Sequence, residues 1–181
     1  MNEIPEENYS PLWSDGGERG PLPLVGDERE ILTAYLDWHR ETVALKCAGL
    51  PADALNERSV SPSTLSLHGL IRHLTGVEQW WFEIQFAGRD VPMINYSDEW
   101  PEQDFEDLSG SFEDALKLWR AQVETSRRIT AAASLDDTGI SKRTGEPVSL
   151  RRILVHTLAE YARHAGHADL LRERIDGRTG Q

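Results

Sequence analysis

The sequence has one cysteine and no long apolar run, and each of these features excludes particular kinds of site or protein. Among 181 residues there is one cysteine, Cys47, which excludes an internal disulfide, an all-cysteine zinc site and a CxxC redox pair. No apolar run reaches the ~18 residues that a membrane helix requires, and the amino terminus has no charged-then-apolar export signal. The sequence therefore predicts a cytoplasmic protein with no membrane partner.

Basic residues are also scarce. The chain has 19 Lys+Arg against 31 Asp+Glu, a formal net charge of −12, and its longest basic runs are pairs such as Arg127-Arg128. This balance repels phosphate backbones, so a nucleic-acid partner is not expected. With 39% hydrophobic residues the chain is rich enough in apolar side chains to bury a core, and its length suits one globular domain.

Residues 1–26 are rich in proline, glycine and acidic side chains and show no period, which predicts an extended amino-terminal arm. The apolar side chains that could hold this arm on a neighbouring surface are Leu12, Trp13, Leu22, Leu24 and Val25. The domain itself is expected over residues 27–177, followed by a short tail at 178–181.

Within that domain, apolar residues recur at helical spacing in four segments, at about 27–48, 64–87, 111–134 and 149–176. Asp27 and Glu30 form a capping box for the first helix, hydroxyls at 61–64 are cap candidates for the second, and Gly177 ends the last. Segment 89–108 is predicted to be a functional or lid-like loop, and 135–148 a series of turns. The expected fold is an all-α four-helix bundle with a long connection between helices two and three.

The fourth helix carries a stripe of residues that can bind metals. His156, Glu160, His164 and His167 fall within about 80° of one another around its axis. A carboxylate and an imidazole one turn apart can reach a single zinc, nickel, iron or manganese ion. Spacing alone does not decide between Glu160 with His164 and His164 with His167 as the ligand pair.

A third ligand is expected from a facing helix. His73, at the margin of the apolar face of helix two, is the candidate. Three protein ligands would leave coordination positions open to water or substrate, the arrangement of a catalytic metal site. From spacing alone, hydrogen-bonded core histidines are an equally good interpretation.

Two motifs carry a resemblance to a known family. The first is His73-Leu74 followed by Glu78 and Trp80-Trp81, and the second is the run from Glu160 to His167, EYARHAGH. Together they resemble the DinB-like (DinB/YfiT-like) superfamily of metal-binding four-helix bundles over about residues 27–177. The chain is most similar to a branch catalogued as a domain of unknown function, which is related to mycothiol-dependent maleylpyruvate isomerase and the bacillithiol S-transferases.

The resemblance implies that His73, Glu160 and His164 bind one divalent metal, with His167 as a near neighbour. We expect zinc or nickel as the metal and His167 as a proton shuttle. Glu160 stands where the superfamily commonly has histidine and the mycothiol-dependent isomerase has glutamate. The implied cofactor is a low-molecular-weight thiol such as mycothiol. The resemblance further implies a homodimer, and the exposed tryptophans expected in the arm and in segment 89–108 agree with it.

The predicted function is thus a metal-dependent enzyme that uses a thiol for S-transfer to a small electrophile, or for its isomerisation. Trp80 is a candidate wall of the cofactor pocket, and Cys47 is expected to be a small buried residue rather than a nucleophile. Arg151, Arg152 and Arg163 are expected on solvated faces, although one of them could hold a carboxylate of the thiol. The alternative is a non-catalytic metal-binding, stress-associated dimerisation module.

Overall fold

The computed structural model describes Arg19 and residues 21–179, which are mostly helical, as the sequence predicts. Four long helical segments correspond to the four predicted helices. The elements are α1 (Glu28–Cys47), α2 (Ala52–Asn56), α3 (Leu67–Glu78) with a π-helical continuation (Gln79–Phe86), α4 (Gln103–Glu106), α5 (Phe112–Ala131), β1 (Thr138–Ile140), β2 (Pro147–Ser149) and α6 (Leu150–Asp176).

Most helix ends follow the local sequence signals. The capping box at α1 is formed, since Asp27 accepts from the Glu30 amide and Glu30 accepts from the Asp27 amide. Gly177 ends α6 with φ of 76°, a left-handed conformation that suits glycine. The start of α3 was predicted too early: Ser66, not a hydroxyl at 61–64, caps it by accepting from the Gly69 amide at 3.1 Å.

The long helical segments pack around one apolar core. α1 lies against α6, and α3 lies against both α5 and α6. This arrangement faces α3 and α6, the two helices with predicted metal ligands, towards each other. The core side chains include Leu36, Val43, Leu70, Leu74, Phe82, Trp119, Leu154 and Tyr161.

A buried ion pair crosses this core between α1 and α3. Arg40 donates from Nε and Nη2 to the two carboxylate oxygens of Glu78, each at 2.8 Å, and from Nη1 to Asp37 at 2.7 Å. Glu78 has no exposed surface and Arg40 is 4% exposed. Such a two-pronged contact fixes both side chains, because each prong requires the planes of the guanidinium and the carboxylate to align.

The segment predicted to consist of turns forms a small antiparallel hairpin, with Gly139 opposite Val148. Gly139 packs directly on the π-helical segment, and a Cβ at this position would lie 2.2 Å from the carbonyl oxygen of Gln85. The side chain of Gln85 accepts from the Lys142 amide at 2.8 Å. The hairpin is therefore held firmly against the π-helical segment.

The prediction that Leu24 and Val25 hold the arm on the domain is wrong, because they are 99% and 88% exposed. The described contact is polar: Arg19 donates to the Thr42 hydroxyl at 2.7 Å and stacks over the Trp38 ring at 4.1 Å. Leu12 and Trp13 lie outside the described residues. None of the described helices is long and apolar enough to cross a bilayer.

Candidate metal centre

The structure brings three of the predicted site residues together. His73 projects from α3, while Glu160 and His164 project from α6 one turn apart, and each offers a ligand atom within 4.8 Å of the other two. His164 Nε2 lies 3.5 Å from a Glu160 oxygen, and the His73 and His164 ring centroids are 4.7 Å apart. In the described part of the chain, no other group of three histidine, cysteine or acidic side chains converges in this way.

Hydrogen bonds orient both imidazoles. His73 Nδ1 lies 2.7 Å from Asp104 Oδ2, and His164 Nδ1 lies 3.3 Å from His167 Nδ1. When Nδ1–H donates in each case, Nε2 of both rings carries a free lone pair. A carboxylate behind a ligating histidine is the usual outer partner in metal sites, because it fixes the tautomer and raises the basicity of the ligand.

Burial keeps the central histidine neutral. His164 is 7% exposed. Burial, together with the positive charge that His73 and His167 carry when protonated, lowers its pKa to about 3. At neutral pH His164 therefore presents the uncharged imidazole that a metal requires.

The three donors fit a divalent cation. Two imidazole nitrogens and one carboxylate oxygen form a ligand set that zinc accepts, with bonds of roughly 2.0–2.2 Å. At tetrahedral angles, bonds of this length place two ligand atoms of one ion about 3.3–3.6 Å apart. His164 Nε2 and the Glu160 oxygen, 3.5 Å apart, already meet this spacing, and ligand atoms as far as 4.8 Å apart reach it when the side chains move by about 1.5 Å. The Glu160 side chain is 17% exposed, which leaves it accessible from the adjoining space.

Two residues of this centre could not be named from the sequence. Asp104 and Phe105 belong to the short helix α4 inside the long 89–108 segment, and Phe105 stacks on His73 with ring centroids 4.9 Å apart. Arg72 holds this turn in place by donating to the carbonyl oxygen of Asp104 at 3.3 Å. The length and acidity of the segment signalled a functional loop, but no pattern distinguished Asp104 from its acidic neighbours.

A cavity of about 500 Å³, hereafter the main cavity, opens beside His73. Trp80 and Trp81, two consecutive residues of the π-helical segment, both lie on its wall. Short π-helical insertions recur at functional sites. The remaining wall includes Met93, Ile94 and Tyr96 from the long connection.

Two further candidates from the sequence, His156 and Arg163, lie beside Glu160. His156 Nε2 and Arg163 Nη1 each lie 3.7 Å from Glu160, and the His156 ring packs on Trp81 at 4.4 Å. Cys47 is buried, and burial raises the pKa of its thiol to about 12, so it is not poised as a nucleophile.

The mostly helical fold and this cluster of histidines and a carboxylate define a helical protein with a candidate metal centre. Residues 31–177 match the family model of the mycothiol-S-transferases, and the chain therefore belongs to that family, a member of the DinB-like superfamily. The resemblance seen in the sequence is thus confirmed.

A solved structure shares the fold. It is a conserved protein from Enterococcus faecalis that is 18% identical, with a TM-score of 0.62, over 85% of this chain and 100% of that chain. Among the curated proteins, none is significantly similar to this chain.

Proposed function

We propose that this protein is a divalent-metal-dependent enzyme that uses a low-molecular-weight thiol, of the mycothiol kind, in reactions of small electrophiles. The observation that carries the proposal is the convergence of His73, Glu160 and His164 beside the main cavity. The family name supports the thiol, and the donor set supports zinc or nickel. The proposal includes a DinB-like four-helix bundle as the scaffold.

His73, Glu160 and His164 would hold the metal. When bound, the cation supplies a positive charge that lowers the pKa of a coordinated thiol and favours the nucleophilic thiolate. Asp104 orients His73, and Phe105 shields one face of its ring from water. Trp80 provides an apolar wall against which the thiol or the electrophile packs. The thiolate would form a bond from its sulfur to the electrophilic atom. In S-transfer by substitution this bond displaces the leaving group of the electrophile, and in isomerisation the sulfur adds to a double bond and leaves again after the bond has rotated.

Removal of the metal tests this proposal. Protein purified without a His-tag should consume mycothiol in the presence of a panel of electrophiles, fall to the uncatalysed rate after chelation, and recover with zinc or nickel. Activity that survives complete chelation contradicts metal dependence. A metal-loaded protein that consumes no thiol with any electrophile instead supports the non-catalytic module.

His167 is the proposed proton shuttle. If His164 binds metal through Nε2, its Nδ1–H donates to His167 Nδ1, and the Nε2 of His167 is left to exchange a proton with the reacting groups. His167→Gln keeps an oxygen that accepts from His164 but removes the exchangeable proton. We expect kcat to fall by roughly 10²–10⁴ while metal content remains near one per chain.

A different pair of results would contradict His167 as a proton shuttle. If His167→Gln retains kcat and His167→Ala loses metal, His167 only positions His164. The glutamine variant thus separates proton transfer from support of the metal ligand.

A homodimer is also proposed. Trp100 and Tyr96 on the long connection are 41% and 42% exposed, and such aromatic side chains are enriched in protein interfaces. Light scattering should give twice the 20.4 kDa mass of one chain. A monomer mass at high protein concentration contradicts the dimer.

A further inference from the structure

A second, smaller cavity of about 290 Å³ lies between the hairpin and the start of α6, and it is hereafter called the hairpin pocket. Its wall contains two guanidinium groups, Arg143 and Arg152, and two hydroxyls, Ser141 and Thr144. No acidic side chain lines it among the described residues. In a chain with a net charge of −12, this is a locally positive environment.

Both guanidinium groups are available for a ligand. Within the described chain, neither Arg143 nor Arg152 forms an ion pair with a carboxylate, whereas the adjacent Arg151 is bonded to Glu28 and Asp136. Arg152 lies over the Trp81 ring, with its guanidinium carbon 4.7 Å from the ring centroid. This contact holds the guanidinium at the pocket wall and leaves its N–H groups able to donate in the plane of the group.

Backbone contacts of the hairpin fix the position of Arg143. The amide of Lys142, the preceding residue, donates to the side chain of Gln85. The close contact of Gly139 with the π-helical segment fixes β1, the strand that leads into this turn. The turn is closed by hydrogen bonds from Gly145 to the Ser141 carbonyl at 2.7 Å and from Ser141 to the Glu146 carbonyl at 2.9 Å. The backbone that carries Arg143 is therefore fixed relative to Trp80 and Trp81.

The two cavities adjoin each other. Trp80, Trp81 and Arg143 line both, and His73 lines the main cavity. A molecule anchored in the hairpin pocket can therefore extend along the indole rings towards the metal centre. The main cavity is the larger of the two, and the candidate metal ligand His73 lines it, so we assign the thiol to this cavity. The hairpin pocket then remains for the second substrate.

We propose that Arg143 and Arg152 form an anion-binding subsite that holds the carboxylate of the electrophilic substrate, with the apolar body of that substrate against Trp80 and Trp81. Planar guanidinium groups pair with carboxylates through two parallel hydrogen bonds, which orient as well as bind. Assignment of the anion to the electrophile rests on the proposed function, whereas the subsite itself does not.

The test uses a matched pair of probes, 3-phenylpropionate and its neutral amide, titrated into the wild-type protein by isothermal calorimetry. Charge-assisted hydrogen bonds should make the acid bind roughly tenfold more tightly than the amide. Arg143→Gln and Arg152→Gln should each weaken acid binding about five- to tenfold and leave amide binding unchanged. Arg120→Gln, an exposed arginine that lines neither pocket, is the control and should have no effect.

Equal binding of acid and amide by the wild-type protein, or acid binding that neither variant weakens, overturns the subsite. Mycothiol is titrated alone and then into protein saturated with the acid. If mycothiol and the acid bind at the same time, the subsite is free for the carboxylate of the electrophile, as proposed. If mycothiol displaces the acid, the subsite belongs to the thiol, and the assignment to the electrophile is overturned. If mycothiol alone does not bind, the proposed function fails, and the ratio of acid to amide affinity still decides the subsite.

Discussion

His73→Ala is expected to abolish stoichiometric metal binding and leave a folded, helical protein. Among the described residues, His73 is one of three converging candidate donors, so its loss leaves Glu160 and His164 on a single helix with no candidate ligand from α3. Replacement of an outer partner alone costs about 10–100-fold in metal affinity, so removal of a ligand should cost at least about a hundredfold. Helical content should persist because packing of the apolar faces, rather than the cation, stabilises the helices.

Metal content by plasma mass spectrometry and helicity by circular dichroism measure this outcome. His39→Ala on α1 is the control, because that histidine lies outside the three-residue cluster. Asp104→Asn should give the intermediate result, about a 10–100-fold loss of affinity, because it removes the carboxylate charge behind His73 and leaves the ligand itself in place. Retention of one metal per chain by His73→Ala contradicts the assignment, and unfolding together with metal loss makes the metal structural.

Glu78→Gln is expected to lower the free energy of unfolding by about 3–5 kcal/mol without affecting the metal ligands directly. The substitution removes the charge that Arg40 faces in the core, where Glu78 has no exposed surface. Asp37 remains bonded to Nη1, but Nε and Nη2 of the buried guanidinium lose the carboxylate charge that compensates them for the loss of water, which is costly. Urea denaturation measures the change in unfolding free energy.

Glu124→Gln provides the matched control. Glu124 pairs with Arg127 at 3.8 Å on the surface of α5, where both side chains are largely exposed, and its loss should cost no more than about 1 kcal/mol. The double variant Arg40→Met with Glu78→Leu should be more stable than Glu78→Gln, since it removes both buried charges. A Glu78→Gln variant as stable as the control contradicts a structural role for this ion pair.

The parts of the fold that follow from local signals could be predicted from the sequence. The long helices follow the apolar period, and the capping box at Asp27 and the glycine stop at Gly177 are formed as expected. Spacing also placed Glu160 and His164 on one face of α6, because a helix has a fixed period. The position of His73 at the margin of the apolar face made it the candidate from the facing helix, and the resemblance then selected Glu160 with His164 as the ligand pair.

Features that depend on tertiary contacts could not be predicted. Gln79–Phe86 has an ordinary helical composition, yet this segment is π-helical and contributes Trp80 and Trp81 to the cavity walls. The hairpin depends on the fit of Gly139 against the π-helical segment, and the sequence there shows only turn residues. Glu78, an unassigned member of the motif, acquires its role only from Arg40, 38 positions earlier in the chain.

If His73, Glu160 and His164 hold a metal to which a thiol binds, the sulfur of the thiol must enter the coordination shell of that metal. X-ray absorption at the edge of the bound metal, recorded with and without mycothiol, measures this shell. Without the thiol, we expect two imidazole ligands and one carboxylate, with the remaining positions filled by oxygen from water. With the thiol, a sulfur should appear at about 2.3 Å from a zinc ion. A spectrum in which no sulfur enters the shell contradicts thiol binding at the metal, and one in which three imidazoles and no carboxylate bind the metal contradicts Glu160 as a ligand.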